Sequence, residues 1–141
     1  MSDFSAFLKK NARPVATIKY AASPRFVDAE GKPIEWELAP IDTERDELIR
    51  RECTEYVAVG KRGQTVPRLD PDKYAGRLCV ASTVFPNLNN AELQSDYGVM
   101  GGEALLKAML NSGEYNLYKL KAMEVNGFNA SMDEMIDDAK N

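Results

Sequence analysis

Histidine is absent from this sequence of 141 residues, and cysteine occurs only twice. The lack of histidine removes the usual general base near neutral pH and the commonest metal ligand, and it also removes the usual activator of a serine or cysteine nucleophile. Cys53 and Cys79 lack the C-x-x-C spacing of a zinc or redox site. Both are therefore predicted to be small core residues rather than a disulfide or a nucleophile. The sequence predicts a non-enzymatic protein with no catalytic residues, no metal and no cofactor.

Long apolar runs and an excess of basic residues are missing as well. No run approaches the roughly 20 residues that span a bilayer, and residues 1–10 have no apolar core preceded by positive charge, as a signal peptide would. Lysine and arginine together number 18 against 22 acidic residues, which gives a net charge of −4. An acidic net charge argues against a non-specific nucleic-acid binder, which needs a basic face, although it leaves room for a local basic patch. We therefore expect a cytoplasmic or otherwise intracellular protein that binds neither nucleic acid nor a membrane.

What remains is the composition of an ordinary globular protein, with 44% hydrophobic and 28% charged residues. The length predicts a single domain over residues 1–141, with a core that needs no disulfide or metal. Predicted strands precede predicted helices, which is the order of an α+β fold. We expect a mostly helical α+β fold in which a small N-terminal antiparallel sheet, of two to three strands, packs on about five helices. Its parts are a short helix or arm over 1–12, the sheet over 15–41 and a helical part over 42–141.

The predicted sheet rests on strict alternation of apolar and polar residues. Residues 15–20 and 34–38 each place apolar side chains at every second position, and residues 25–27 are a candidate third strand. So small a sheet cannot stand alone and must pack on the helices. Trp36 is the expected anchor of that packing, with an exposed recognition residue as the alternative.

The first residues form an amphipathic pattern. A helix over 2–9 would carry Phe4, Phe7 and Leu8 on one side. Two arrangements fit this pattern: a helix packed on the core, or a mobile arm whose aromatic face meets a partner.

The last residues form a second amphipathic pattern, in which Ser131 and Glu134 predict a capping box. The helix that follows would carry Met132, Met135, Ile136 and Ala139 on one side and Asp133, Glu134, Asp137 and Asp138 on the other. It is either a closing helix docked on the protein or, because methionine suits adaptable surfaces, a partner-binding helix.

Two central helices are predicted from their caps. Asp42 begins a helix whose buried stripe reaches to about residue 57, and Asp70 with Pro71 begins another that runs to about Thr83. Between them, Gly-Lys-Arg-Gly at 60–63 does not match a phosphate-binding loop. A small hairpin is one interpretation of this region, with 56–59 pairing 64–66, and its two cations are also candidates for contact with an acidic partner.

Residues 84–102 are dense in signals for a change of chain direction. Asn89 and Glu92 predict a capping box, and Leu88 and Leu93 hold the two positions of a hydrophobic staple. We interpret the stretch as a rigid corner between helices, with a partner-docking elbow as the alternative.

Several segments in one order resemble a known family over nearly the whole chain. They are Phe7-Leu-Lys-Lys-Asn-Ala12, Arg25-Phe-Val-Asp-Ala-Glu-Gly-Lys-Pro-Ile-Glu-Trp36, Gly60-Lys-Arg-Gly-Gln64, Pro86-Asn-Leu-Asn-Asn-Ala-Glu-Leu-Gln94, Tyr97-Gly-Val-Met100 and Asn126-Gly-Phe128. As a set they resemble the XkdN-like tail assembly chaperones of PBSX-type prophages and related myophages.

The resemblance implies a non-catalytic assembly factor in the cytoplasm of a bacterial host. Such a chaperone binds the phage tape-measure protein, keeps it soluble, promotes assembly of the tail tube around it and is absent from the mature virion. Further partners implied are the tail-tube protein and a frameshift-extended form of the chain itself, and homo-oligomers are an additional expectation. The alternative function is a structural tail or connector component that is retained in the virion.

The candidate partner-binding face comes from an excess of apolar residues in the last predicted helices, over 103–110 and 113–125. Its expected members are Leu105, Leu106, Met109, Leu110, Tyr115 and Tyr118. Amphipathic helices laid in grooves are a common mode of recognition, so we expect these residues to line a groove or face for tape-measure helices.

Overall fold

A computed structural model describes residues 3–128 of the chain. A 3₁₀ helix over Asp3–Phe7 comes first, and ten further elements follow it. In chain order they are β1 (Ile18–Tyr20), β2 (Trp36–Leu38), α1 (Thr43–Glu52), β3 (Thr54–Val59), β4 (Gln64–Leu69), α2 (Pro71–Ser82), β5 (Thr83–Phe85), α3 (Ala91–Asp96), α4 (Gly102–Met109) and α5 (Ser112–Val125). The architecture confirms the predicted mostly helical α+β class with small antiparallel sheets.

Three short strands form the first sheet, in the order β1–β2–β5, and both pairings are antiparallel. The candidate third strand over 25–27 does not join this sheet: an isolated bridge pairs Val27 with Pro33 there, around a turn closed by Asp28. β5 takes that place although it comes from the part predicted to be helical. It can do so because α2 ends at Ser82 and the next three residues lie directly against β2.

The core lies where this sheet meets α2, α4 and α5. Trp36 is 2% exposed, and its ring meets Tyr118 of α5 edge-on with 5.4 Å between ring centroids. The Tyr118 hydroxyl is hydrogen-bonded to Thr83 Oγ1 at 2.6 Å, as a buried tyrosine requires. Leu38 and Leu78 are fully buried beside them. The prediction of Trp36 as a core anchor is therefore confirmed.

Side-chain caps begin four of the five described α-helices, α4 being the exception, and two of these caps lie one residue away from the prediction. Asp42 and Asp70 cap α1 and α2 as expected. The cap of α3 is Asn90, which accepts from the backbone N–H of Leu93 at 2.8 Å, so the capping box predicted for Asn89 and Glu92 is wrong. Asn-Asn is ambiguous because either residue can turn its side chain onto the first turn.

The cap of α5 is also shifted by one residue. It is Asn111, which forms a reciprocal capping box with Glu114, whereas the predicted helix over 113–125 implies a cap at Ser112. Ser112 is instead the first residue of α5. The two predicted helix starts that failed are thus both places where two capping residues stand side by side.

The hairpin between α1 and α2 is confirmed and is longer than expected. β3 pairs with β4 over six residues each, from Thr54 opposite Leu69 to Val59 opposite Gln64. α1 consequently ends at Glu52 rather than near residue 57. Gly60 and Gly63 both have a φ of +71° at the tip, a backbone conformation that glycine adopts at little steric cost.

The amphipathic patterns at the two ends have different outcomes. The N-terminal segment forms a 3₁₀ helix whose Phe4 and Phe7 are 68% and 81% exposed, so these rings are not part of the core. The predicted C-terminal helix from Ser131 lies outside the described residues. None of the described helices has the length and hydropathy needed to cross a bilayer.

Candidate partner-binding surface

The six residues predicted to face a partner lie mostly in the core. Leu105, Leu106 and Tyr118 are fully buried, Met109 and Leu110 are each 5% exposed, and Tyr115 is half-buried. α4 packs on α2 and α5, and this packing uses the apolar excess that the sequence shows. The prediction that these side chains form an exposed face is therefore wrong for the folded chain.

Other apolar side chains of the helical part do face solvent. Met100 is 92% exposed and Leu48 of α1 is 44% exposed. On α5, Leu117 and Leu120 are 55% and 53% exposed, which is the outer part of the wide apolar belt noted in the sequence. Met100 and Leu48 differ from the α5 pair because they flank a concave site.

That concave site is a groove of about 510 Å³ between α1, α2 and the beginning of α4. Leu48, Ile49, Val80, Ala81, Met100 and Ala104 supply its apolar surface. Arg45, Glu52, Arg77 and Glu103 supply charged groups of both signs. Arg77 and Glu52 form an ion pair across it, with 2.7 Å between Nη1 and Oε2, so one part of the rim is held in place. An apolar floor with a polar rim is the usual composition of a binding groove.

The corner over residues 84–102 sets one wall of this groove. Gln94 clamps the corner, because its Nε2 donates to the Leu88 carbonyl at 2.8 Å and its Oε1 accepts from the Gly101 N–H at 3.0 Å. Gly98 and Gly101 have positive φ angles of 67° and 93°, and the chain between them carries Met100 outward. The corner is therefore both a structural element and the support of the most exposed methionine in the described chain.

Gly102 allows α4 to begin close to α2. A Cβ at this position would lie 2.8 Å from Cγ1 of Val80 and 3.5 Å from Cβ of Leu88. The first of these distances is too short for two carbon atoms, so only glycine fits without a shift. The groove thus depends on a small residue at the point where the corner meets α2.

On another flank of α1, a polar cluster ties this helix to α2. Arg50 Nε donates to Asp46 Oδ2 at 2.8 Å, its guanidinium lies 4.5 Å from the ring centroid of Tyr74, and the Tyr74 hydroxyl donates to Asp46. Burial, together with the bond to Asp46, raises the pKa of Tyr74 to about 12. Tyr74 therefore stays protonated near neutral pH and can keep donating its hydroxyl proton to Asp46. The cluster thus joins α1 to α2.

The two cysteines are confirmed as buried, free thiols, with Cys53 1% and Cys79 0% exposed. Burial raises the pKa of the Cys79 thiol to about 12 and also raises that of Cys53. A protonated thiol is a poor nucleophile. Over residues 3–128, no group of acidic or cysteine side chains is arranged to hold a metal ion.

The groove was not found by sequence reasoning, although one signal pointed to it. Methionine is uncommon on exposed loops, and Met100 stands between Gly98 and the pair Gly101-Gly102. The alternative interpretation of residues 84–102 as a partner-docking elbow included this segment. Leu48 and Val80 gave no comparable signal, because each fits the buried stripe of its own helix.

Comparison with known proteins agrees with the resemblance in the sequence. The family model described as "Phage XkdN-like tail assembly chaperone protein" matches residues 4–140. The "Phage-like element PBSX protein XkdN" of Bacillus subtilis (strain 168) is 33% identical over 140 residues, which cover 99% of this chain and 94% of the relative. The "Uncharacterized protein YqbN" of the same strain is also 33% identical, over 99% and 93% of the two chains.

A solved structure shows the same fold. The crystal structure of the protein YqbN superposes with a TM-score of 0.77 and 28% sequence identity, covering 91% of this chain and 98% of that one. Since the family model and the relatives span almost the full length, this chain belongs to the family of XkdN-like phage tail assembly chaperones.

Proposed function

We propose that this tail assembly chaperone acts by binding the tape-measure protein of its phage. In this proposal it keeps the tape-measure protein soluble in the host cytoplasm, promotes assembly of the tail tube around it and is released before the particle is complete. The tail-tube protein and a frameshift-extended form of the chain are further partners in the same scheme. Membership of the family supports the general role, and the groove beside Met100 is the observation that carries the binding mode.

An amphipathic helix is the ligand that suits this groove. Leu48 and Met100 offer apolar side chains that are already exposed, and methionine adapts its shape to different partners. Charges of both signs around the rim can pair with the polar side of a bound helix and fix its direction. Such contacts are modest individually, so the ligand can be displaced when the tail tube grows.

The six residues first expected to touch the partner take a different role in this proposal. Leu105 and Leu106 hold α4 against the core, and the beginning of α4 forms one wall of the groove. They therefore support the binding surface without lining it. Tyr115, which is half-buried, is the member of the set with part of its ring at the surface.

The test is to change the groove without changing the fold. Met100→Asp places a charge where an apolar contact is proposed, while Met100→Leu keeps the apolar character. Because Met100 is 92% exposed, both variants should keep the thermal stability of the parent within about 0.5 kcal/mol. We expect Met100→Asp to weaken binding of tape-measure fragments at least tenfold, roughly the loss of one buried apolar side chain at an interface.

Binding is measured by the soluble yield of co-expressed tape-measure fragments and by titration of purified fragments. Crosslinks to tape-measure helices should map to α1 and residues 98–104. Undiminished binding by Met100→Asp, with crosslinks confined to the β1–β2–β5 sheet, would contradict the proposed site. Recovery of the protein from purified mature particles by mass spectrometry would instead favour a structural component of the tail.

A further inference from the structure

The outer edge of β3 is an unpaired sheet edge within residues 3–128, where β3 pairs with β4 alone. An isolated two-stranded hairpin is marginally stable in water, and further strands or a packed helix are the usual support. Both strands are exposed over most of their length, and Tyr56 in the middle of β3 is 71% exposed. The hairpin therefore offers backbone donors and acceptors to an additional strand.

Pro67 shows which backbone groups of β3 face outward. It stands opposite Tyr56 in the hairpin and has no N–H to donate. In an antiparallel pair, opposite residues alternate between exchanging both backbone hydrogen bonds and exchanging none. Because the pairing is continuous across Pro67, Tyr56 and Pro67 belong to the second kind. The N–H and C=O groups of Tyr56 and of Ala58, two residues on, therefore point away from β4 and towards the open edge.

The two outer edges of the hairpin differ in their ability to accept a strand. In β4 the row of outward donors is interrupted at Pro67, and proline on an edge strand is a common protection against strand addition. β3 has no proline and a single charged residue, Glu55. The β3 edge is thus the one suited to strand addition, and an assembly of two hairpins built on it would end at Pro67 on both sides.

The side chains of β3 fit a second copy of the same strand. Two β3 strands can pair antiparallel about a two-fold axis that places Val57 opposite Val57 of the other copy. Tyr56 of each copy then exchanges backbone hydrogen bonds with Ala58 of the other. Val66 lies beside Val57 on the same side of the hairpin, so the valines of both copies form one continuous row. On the opposite side, the exposed Tyr56 ring lies against Ala58 of the other copy.

The distribution of charge favours the antiparallel arrangement. The tip of the hairpin contains Lys61 and Arg62 and no acid. Antiparallel pairing keeps the two basic tips at opposite ends of the joint sheet and brings each tip towards Glu55 of the other copy. Residues 54–69 carry a net charge of +2 in a chain of net charge −4, so the remaining residues carry −6. Each basic tip therefore approaches a body of opposite net charge.

We propose that this protein forms a two-fold dimer by antiparallel pairing of β3 with β3 of a second copy. The pairing uses one short strand from each copy, whereas a standard interface has about 20–30 residues a side, so the dimer is weak and reversible. It gives the expected homo-oligomer a defined contact, separate from the groove beside Met100. The dimer does not depend on the identity of the phage partner.

Single-cysteine substitutions in the full chain test the pairing register directly. Val57→Cys places a thiol at the proposed axis, where opposite Cα atoms lie about 4.5 Å apart, within reach of a disulfide. Val66→Cys is the matched control, because it lies on the same side but one strand farther from the axis. Its two copies would be about 14 Å apart, which is three strand spacings and too far for a disulfide. Cys53 and Cys79 are buried and do not compete.

We expect Val57→Cys to form disulfide-linked dimers at least tenfold faster than Val66→Cys at the same protein concentration. Random collision would favour the control, because Val66 is 41% exposed whereas Val57 is half-buried. Equal rates, or faster linkage of Val66→Cys, would overturn the proposed pairing. Circular dichroism under reducing conditions verifies that both variants fold.

Proline substitutions test the same edge without added thiols. Ala58→Pro removes an N–H that points outward, so the hairpin itself loses no hydrogen bond between its strands. Thr65→Pro is the matched control, because Thr65 stands opposite Ala58 and its N–H points outward from the β4 edge. Sedimentation velocity gives the dimer dissociation constant of each variant. Amide hydrogen exchange in β3 and β4 verifies that each hairpin is intact.

We expect Ala58→Pro to raise the dimer dissociation constant at least tenfold and Thr65→Pro to change it less than twofold. A parent protein that stays monomeric up to about 1 mM would overturn the proposal, because even a weak specific interface assembles in that range. The open edge would then belong to a strand of another protein. Equal weakening by the two prolines would also overturn it, because the dimer would then depend on the shape of the hairpin and not on the β3 edge.

Discussion

Helix α4 and the β3–β4 hairpin are both rich in apolar residues, yet those of α4 are buried and those of the hairpin are largely exposed. Leu105 and Leu106 of α4 are 0% exposed, whereas Tyr56 and Val66 of the hairpin are 71% and 41% exposed. α4 presents one apolar stripe to α2 and α5, while the hairpin extends from a base at Cys53 and Asp70. Apolar content alone therefore does not identify a binding surface, because burial depends on where the chain places the element.

This contrast explains the error in the predicted partner-binding face. The strongest apolar pattern in the sequence belongs to α4 and the beginning of α5, and a strong pattern is the expected property of a core helix. Apolar residues outside such a pattern, such as Met100 and Val66, remain exposed because no described neighbour covers them. A surface for a reversible partner is better sought among apolar residues that interrupt a polar loop or ribbon.

The largest effect on the free energy of unfolding is expected from a substitution in the core. Trp36→Ala removes the ring that packs on Tyr118 and Phe26 and should lower the free energy of unfolding by about 3–5 kcal/mol. Val66→Ala on the hairpin should cost less than about 1 kcal/mol, because that side chain is already partly exposed. Urea denaturation followed by circular dichroism measures both values.

The informative quantity is the difference between the losses in unfolding free energy that the two variants cause. If Val66→Ala cost as much as Trp36→Ala, the hairpin would be part of the core in solution. If Trp36→Ala cost less than about 1 kcal/mol, the sheet would contribute little to stability and the core described above would be misplaced.

Much of the fold could be predicted because local signals and tertiary packing agree. Alternation around Trp36, the caps at Asp42 and Asp70 and the two glycines at the hairpin tip each specify their own element. The third strand could not be predicted, because β5 is three residues long and is defined by its pairing with β2 rather than by its own pattern. Long-range pairing of so short a segment leaves little trace in the sequence.

The groove could not be predicted for a related reason. Its surface combines Leu48, Val80 and Met100, which come from three elements and are far apart in the sequence. Each of these residues has an ordinary local explanation, and only the fold brings them together. The closeness of Gly102 to Val80, which shapes the groove, is likewise visible only in three dimensions.

An intermediate effect is expected at two glycines that both lie in the first turn of a helix. Gly102→Ala forces a Cβ to within 2.8 Å of Val80 Cγ1, and the β-branched valine has little freedom to move. This overpacking should cost about 1–3 kcal/mol. Gly113→Ala meets nothing closer than 3.7 Å and should stabilise α5 by about 0.4–1 kcal/mol, because alanine restricts the unfolded chain.

Thermal denaturation of the two alanine variants tests the sign as well as the size. A stabilising Gly102→Ala would mean that α4 begins farther from α2 than described, and the groove would then be wider. A destabilising Gly113→Ala would mean that the start of α5 has a neighbour outside the described residues. Opposite signs would confirm that the corner is tight while the beginning of α5 is open.

The smallest expected effect concerns the beginnings of α3 and α5, and it depends on pH. Glu114 carries the returning bond of the capping box, and its bond from the Asn111 backbone N–H lowers the pKa of this carboxyl. In α3 the equivalent position is Leu93, which cannot return a bond to Asn90. A lowered pKa in the folded state means that the carboxylate stabilises the fold above its unfolded pKa of about 4.3. This contribution is lost as the pH falls through the folded value.

Glu114→Gln should therefore be less stable than the parent protein at pH 6 and should approach it at pH 3. The urea midpoint of each variant at the two pH values measures this difference. Glu92→Gln is the matched control, because Glu92 lies in the first turn of α3 but not at the position that returns a capping bond. The difference in urea midpoint between the parent protein and Glu92→Gln should change less between the two pH values. If both glutamine variants showed the same pH dependence, the effect would come from the general interaction of a carboxylate with the first turn of a helix, and the reciprocal cap of α5 would have no separate role.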